Sequence, residues 1–284
     1  MVHYIHTTIE IGLPKPLRFL HTTDNHLTLA DERDNERKRL LAVKRHQVFE
    51  GDSNRVQDSL TEMIDYCRHN CDLMLHTGDL IDFVSHKNVE TAKAFLDKVD
   101  YFMCAGNHEF SQYVGEAWED EDYKYQSLSF VQTMCKYDLE FASRVVGGVN
   151  LVGLDNGYYY FRESQLTALQ AEVAKGLPIL LLMHNPIYTP DLYEEMMVRR
   201  KKGCAYVCGC PAEKMACYDE RRRKQQQPYF ATNEFIEYVK HEPLIKALIT
   251  GHLHFNYEGE QVPGKMQYVT DGSFLGSARL IEVL

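Results

Sequence analysis

Six short apolar runs, rich in β-branched and aromatic side chains, punctuate the chain: Leu17–Thr23, Leu73–Thr77, Tyr101–Ala105, Val149–Leu154, Ile179–Met183 and Ile245–Thr250. Each has the length of a strand, and several end in a polar cluster. Between the earlier runs the period changes. Val56, Leu60, Met63, Ile64 and Cys67 fall on one face at helical spacing and predict a helix over Val56–Cys67. Val89–Val99 and Leu128–Tyr137 carry weaker versions of the same pattern. Ser164 stands where an N-cap is expected for a helix through Leu166, Leu169 and Val173, closed by Gly176 ahead of Pro178. Strand–helix–strand alternation predicts parallel βαβ units. Phe141–Leu154, around Gly147–Gly148, and Gln267–Leu284 read as antiparallel hairpins. The expected class is an α/β sandwich with mixed sheets.

Two segments depart from this pattern. Residues 188–229 hold clustered charges, four of the eight cysteines and the Gln225–Gln227 run. They are expected to form an insertion between two core strands of a single domain spanning 1–284. Asp31–Arg45, after the first run, is densely charged. No internal repeat is visible.

With 284 residues, 44% of them hydrophobic and 25% charged, the chain is long enough to bury a core without disulfides. Met1–Pro14 lacks the basic start and unbroken apolar stretch of a signal peptide. No apolar run approaches the roughly 20 residues that span a bilayer. The expectation is a soluble, cytoplasmic protein without a membrane partner. A net charge of -10 argues against nucleic acid and anionic lipid as partners. The eight cysteines read as reduced thiols. Cys204, Cys208, Cys210 and Cys217 raise a zinc alternative, but their C-x3-C-x-C-x6-C spacing is not that of common zinc knuckles. No feature of the sequence sets the oligomeric state.

Thirteen histidines are the count that asks for a cause. Five of them fall within a set of five polar clusters at strand ends: Asp24-Asn25-His26, Gly78-Asp79-Leu80-Ile81-Asp82, Gly106-Asn107-His108-Glu109, His184-Asn185 and Gly251-His252-Leu253-His254. Ligands of open α/β sheets gather outside the carboxyl ends of the strands. Glycines 78, 106 and 251 are expected to let the chain turn sharply there. Any one cluster occurs often by chance, and a lone histidine beside a strand is commonly structural. Five in this order, each closing an apolar run, point to a shared site. Imidazole, carboxylate and amide donors suit manganese, iron, zinc or cobalt better than calcium. Two such cations roughly 3.5–4 Å apart can bind the oxygens of a phosphate ester and generate hydroxide near neutral pH.

From Leu17 to Leu284 the chain resembles the calcineurin-like metallophosphoesterases, and all five motifs of that family are present. The resemblance implies a four-layer α/β/β/α sandwich with a dinuclear metal centre at the rim of its sheets. One metal would be held by Asp24, His26, Asp79 and His254, the other by Asp79, Asn107, His184 and His252, with Asp79 bridging. His108 would stabilise the transition state or protonate the leaving oxygen. Asp82 matches the position that orients it, and a nearby carboxylate is expected to raise the imidazole's pKa. The alternative for Asp82 is an ordinary loop carboxylate.

The implied activity is metal-dependent hydrolysis of phosphate esters. In the serine/threonine protein phosphatase branch an Arg follows the second Asp of the second motif; here that residue is Phe83, which counts against a phosphoprotein substrate. The purple acid branch carries an iron-ligating Tyr in that motif, where this chain has Asp82. Small phosphomonoesters, nucleotides and cyclic or other phosphodiesters are left. A non-catalytic scaffold of the same fold is the rival reading, set against the retention of every ligand position and His108. Two basic runs, Arg33 with Arg37–Arg39 and Arg199–Lys202 with Arg221–Lys224, are either phosphate grips or solvated helix faces. Tyr158–Phe161 is either a base-stacking loop or core.

Overall fold

The computed structural model describes residues 2–114 and 121–284. All six apolar runs are strands, and five further strands join them. In chain order they are β1 (His3–Ile9), β2 (Leu17–Thr22), β3 (Leu73–His76), β4 (Tyr101–Met103), β5 (Phe141–Val146), β6 (Val149–Leu154), β7 (Ile179–Leu182), β8 (Ile245–Thr250), β9 (Tyr257–Val262), β10 (Lys265–Val269) and β11 (Ser277–Val283). They form two mixed sheets. One has five strands in the order β1-β11-β2-β3-β4, the other six in the order β5-β6-β7-β8-β10-β9. The central neighbours β2–β3, β3–β4, β6–β7 and β7–β8 are parallel.

The six strands legible in the sequence read as near-continuous apolar runs because both of their faces are covered. Phe19, Leu73, Leu75 and Phe102 of the first sheet meet Leu151, Leu180, Leu182 and Ile249 of the second in a core between the sheets. The alternate residues face outward. Leu20, Met74 and Met103 pack under α1 (Glu36–Phe49), α2 (Arg55–Asn70), α3 (His86–Leu96) and α4 (Glu121–Val131), largely through Leu60, Met63, Ile64 and Leu96. On the other side Val152, Leu181 and Leu248 pack under α5 (Glu163–Val173) and, beyond the 188–229 segment, a helix at Phe230–His241. The result is the α/β/β/α layering.

The 188–229 segment folds into short pieces, α6 (Pro190–Glu194), a π-turn at Glu195–Arg199, α7 (Ala212–Met215) and α8 (Glu220–Gln226), ahead of α9 (Phe230–His241). It has a small core of its own, in which Leu192, Met196, Cys204, Val207 and Tyr218 close on Leu253 and Phe255 beside β8. Its cysteines do not converge on one another. The Cys204 thiol accepts from Gln226 and that of Cys208 from Asn156, while Cys210 pairs with the Tyr218 hydroxyl and Cys217 with that of Tyr193.

Four expectations need correction. Gln267–Leu284 is not a hairpin: β10 lies in the six-stranded sheet and β11 in the five-stranded one. A 3-10 turn at Ser273–Leu275 carries the chain across, held by Ser273 N donating to Thr23 O at 2.8 Å. The helix expected over Leu128–Tyr137 starts earlier, at Glu121, and ends in a 3-10 turn at Gln132–Met134. The Gln132 amide stops it by donating to the carbonyls of Cys135 and Tyr137. Helix α5 begins at Glu163, one residue before the expected cap Ser164, because Gln165 Oε1 accepts the Arg162 N–H at 2.9 Å. Of the three glycines, only Gly78 has a positive φ, +92°. Gly106 and Gly251 are required by close approach instead: a Cβ would lie 2.3 Å from Asp79 Oδ1 at the first and 1.9 Å from Thr23 Oγ1 at the second.

Candidate metal centre

The carboxyl ends of five parallel strands open onto one rim. Strands β2, β3 and β4 deliver Asp24 and His26, Asp79 and Asp82, and Asn107 and His108; β7 and β8 deliver His184, and His252 with His254. The first two loops are zipped together by Asp24 N to Gly78 O, His26 N to Asp79 O and Leu27 N to Leu80 O, each 2.9 Å. Asp24, His26, Asp79, His252 and His254 all have left-handed backbone, with φ between 52° and 68°. That conformation costs on the order of 1–3 kcal/mol per non-glycine residue and persists where the surroundings dictate it. Here the dictated result is convergence of the side chains.

The side chains form three close groups; two hold the expected ligands, and the third, of His26, Asp82 and His108, shares His26 with the first. In one, Asp24, His26 and His254 come together: His254 Nε2 is 3.1 Å from Asp24 Oδ1 and 3.3 Å from His26 Nε2. In the other are Asp79, His184 and His252, with His184 Nε2 3.1 Å from both Asp79 Oδ2 and His252 Nδ1. Asp79 Oδ2 also lies 3.8 Å from His26 Nε2, so one oxygen faces both clusters. Its other oxygen accepts the His108 N–H at 2.8 Å.

Three observations test whether these residues fit metal ions. Asn107 Oδ1 is buried with no hydrogen-bond partner, an orphaned acceptor of the kind a cation satisfies. Three histidines have one ring nitrogen engaged outside the clusters: His26 Nδ1 by Asp82 Oδ1 at 2.9 Å, His184 Nδ1 by Thr77 O at 2.7 Å, and His252 Nε2 by the Tyr159 hydroxyl at 2.7 Å. Such partners orient metal-binding imidazoles. The charge pattern agrees. Burial opposes ionisation of Asp24 and Asp79, yet the surrounding imidazoles hold both carboxyls well below the usual range. Burial likewise opposes a charge on His26 and His184, but the carboxylates push them up to about 10 and about 9. Protons take the place a cation is suited to fill. The donor set fits two ions.

His108 and Asp82 are adjacent, but not as a simple His–Asp dyad. His108 Nδ1 donates to the main-chain carbonyl of Asp82 at 2.7 Å and lies 3.4 Å from its Oδ1. The Asp82 carboxylate is taken by His26 and by Arg45, whose Nε and Nη2 reach it at 2.7 and 2.9 Å. The expected upward pKa shift of His108 is reversed: burial lowers it, outweighing Asp79 and Asp82.

Other residues hold the rim without being legible as site residues. Arg45 closes the charged Asp31–Arg45 segment, and nothing in the sequence around it marks it for the rim. Glu109, buried, accepts the N–H groups of Asp79, Leu80 and Gly106, each at 2.7 Å, and so fixes the turn that presents Asp79. Asn156 Oδ1 accepts the N–H groups of His184 and Asn185. Phe83, where an arginine was missed, is fully buried. The basic runs are mostly engaged elsewhere. Arg33 pairs with Asp31 and Glu90, Lys38 donates to Val84 O, Arg39 to Asp34 O, and Arg199 and Arg200 pair with Glu195. Arg200 lies 3.6 Å from the ring of Phe255, next to His254. Of the aromatic loop, Tyr158, Tyr159 and Phe161 are buried, and Phe161 stacks on Phe235 at 4.1 Å. A cavity of about 1150 Å³ lined by Tyr160, Arg162, Arg221 and Tyr229 contains none of the seven converging residues.

The two-sheet sandwich carries at one rim His/Asp clusters that could hold metal ions. The sequence matches the family model of the calcineurin-like phosphoesterases over residues 17–256, and the chain belongs to that family. Among solved structures, a purple acid phosphatase from yellow lupin is similar in fold, with a TM-score of 0.51 at 13% identity, covering 90% of this chain and 44% of the other. A dimetal phosphatase from Danio rerio matches with a TM-score of 0.48 at 13% identity, covering 91% of this chain and 88% of its own. A 5'-nucleotidase structure from Staphylococcus aureus, described as putative, matches with 0.49 at 14% identity, covering 91% and 49%. No curated protein matches the sequence. Among the described residues no helix is long and apolar enough to cross a membrane.

Proposed function

We propose that this protein hydrolyses small phosphate esters with two transition-metal ions, of the manganese, iron or zinc type, at the rim just described. The observation that carries this reading is the pair of His/Asp clusters facing a single oxygen of Asp79, with the orphaned Asn107 oxygen beside them. Asp24, His26, Asp79 and His254 would hold one ion, and Asp79, Asn107, His184 and His252 the other. Two bound cations supply charge for the phosphate oxygens and lower the pKa of water.

The chain's own groups do the rest. Asp79 sets the spacing by sharing one carboxylate. His108, with Nδ1 committed to the Asp82 carbonyl, keeps Nε2 as the nitrogen that exchanges a proton with the ester. Burial holds the ring neutral in the free protein, and the negative oxygens of a bound ester would raise its pKa so that it can deliver a proton to the leaving group. Arg45 and Asp82 fix His26. No arginine follows Asp82, which favours small esters, nucleotides or cyclic diesters over phosphoproteins. The 188–229 segment is best read as an insertion in a single domain.

The test is hydrolysis of a chromogenic phosphomonoester and a phosphodiester, each with Mn²⁺ and with EDTA. Metal-dependent turnover of either supports the reading, and their ratio ranks mono- against diesterase. A folded protein that turns over neither would favour the non-catalytic scaffold.

A further inference from the structure

Within the Tyr158–Phe161 loop, Tyr159 is held in a way that neither core packing nor base stacking requires. Its φ is +65°, a conformation bulky residues rarely adopt and one maintained only by surrounding contacts. Those contacts run to the second metal cluster from both sides. Tyr159 N donates to Asn156 O at 2.9 Å. Asn185, next to His184, donates through Nδ2 to the carbonyls of Asn156 and Gly157 at 2.8 and 3.1 Å. Gly157 lies against Asn107 so closely that a Cβ would meet its Cα at 2.9 Å. The buried ring of Tyr159 stands edge-on to His252 at 5.5 Å and 75°, with its hydroxyl 2.7 Å from Nε2.

The two ring nitrogens of His252 are thereby divided. Nδ1 is 3.1 Å from His184 Nε2, inside the cluster, while Nε2 faces Tyr159. His26 and His184 are reversed: their Nδ1 atoms are engaged outside and Nε2 points in. A neutral imidazole carries one proton, and the nitrogen that binds a cation must be the bare one. For His252 the proton has to sit on Nε2, and among the described residues its hydrogen-bond partner there is the phenol oxygen of Tyr159.

We infer that Tyr159 is a positioning residue for the second metal site, its hydroxyl accepting the Nε2–H of His252 and holding the tautomer whose Nδ1 is free for the ion. The inference rests on the two-metal reading above. Asp82 does for His26 with a charged acceptor what Tyr159 does for His252 with a neutral one. Loss of such an outer partner typically weakens metal binding by about 10–100-fold.

The experiment is a titration of the metal-free wild type, Tyr159→Phe and Tyr160→Phe with Mn²⁺ and Co²⁺, read by calorimetry and by the visible spectrum of bound Co²⁺. Tyr160 is in the same loop, but its hydroxyl goes to Glu121, so its variant serves as the loop control. The wild type and Tyr160→Phe are expected to bind two ions per chain. Tyr159→Phe is expected to keep the first affinity and to lose about 10–100-fold in the second. Unchanged binding of both ions by Tyr159→Phe overturns the inference while leaving the two-metal reading standing. Equal weakening of both sites, or loss of the fold, shows a merely structural role and also overturns it. A wild type that binds fewer than two ions overturns the two-metal reading and the inference with it.

Discussion

At the scale of single residues, the proposed mechanism separates groups that hold charge from groups that move a proton. Asp79 does the former: one oxygen faces both clusters and the other is tied to the His108 main chain. His108 does the latter. Replacing His108 by Asn should leave metal content intact while lowering turnover by about 10²–10⁴-fold. Asp79→Asn should go further and lower metal content as well, since it weakens both clusters together. Metal analysis beside a rate measurement separates the two, and full turnover by the His108 variant would remove its assigned role. The residue motifs were readable because each is a compact word at the end of an apolar run. What the word Asp82 meant was not readable. Its carboxylate serves His26 and Arg45, and its carbonyl serves His108.

At the scale of elements, α1 is the one whose sequence gives least away. Only Ala42 and Phe49 of this helix are buried, and Leu40, Val43 and Val48 are exposed. A helix so lightly packed contributes little to the core. Its C-terminal half nevertheless grips the centre: Arg45 is bidentate on Asp82, its guanidinium lies 4.8 Å from the ring of Phe49, and that ring stacks on His26 at 4.5 Å and 6°. Removing the guanidinium leaves a fully buried carboxylate without the one cationic partner it has among the described residues apart from the histidines, which is costly. Arg45→Met is therefore expected to weaken the first metal site by about tenfold or more, with Arg45→Lys restoring part of the loss. Metal affinities of the two variants decide it: a Met variant that binds both ions as the wild type does would show that Arg45 serves only α1. No sequence pattern marked Arg45, because its partner lies 37 residues away, beyond α2 and β3.

At the scale of the whole molecule, the centre joins the two sheets, since Asp24, His26, Asp79 and Asn107 come from one and His184, His252 and His254 from the other. Emptying it should therefore be felt in stability, with a definite sign. In the metal-free chain His26 and His184 are raised from 6.5 to about 10 and about 9. A raised folded-state pKa contributes stability that is complete below the unfolded value of about 6.5 and is lost as pH climbs through the folded value. Asp24 and Asp79, held low, act oppositely: their contribution is present above the unfolded value near 3.8 and fades only as pH falls below it. EDTA-treated protein should thus lose thermal stability steadily between about pH 6.5 and 10. Metal-loaded protein should not, because the ions displace those protons. Identical pH profiles with and without metal would contradict this.

The sequence by itself determined the strands of the two sheet centres, the face of α2, and the seven polar residues placed at strand ends. Buried parallel strands must be apolar on both faces, and a metal centre at their carboxyl ends must be spelled in short local motifs, so both leave a mark on the linear chain. Two of the edge strands, β1 and β9, carry no such mark, although the edge strand β4 does. β1 and β9 are polar and half-exposed, and only pairing with β11 and β10 makes them strands. The tertiary structure alone decided that Gln267–Leu284 is split between two sheets, that Arg45 rather than a residue after Asp82 brings a guanidinium to the rim, and that Tyr159 faces His252. Each of these depends on a contact between residues far apart in the chain, where geometry is set by the packing of the layers and not by any local preference.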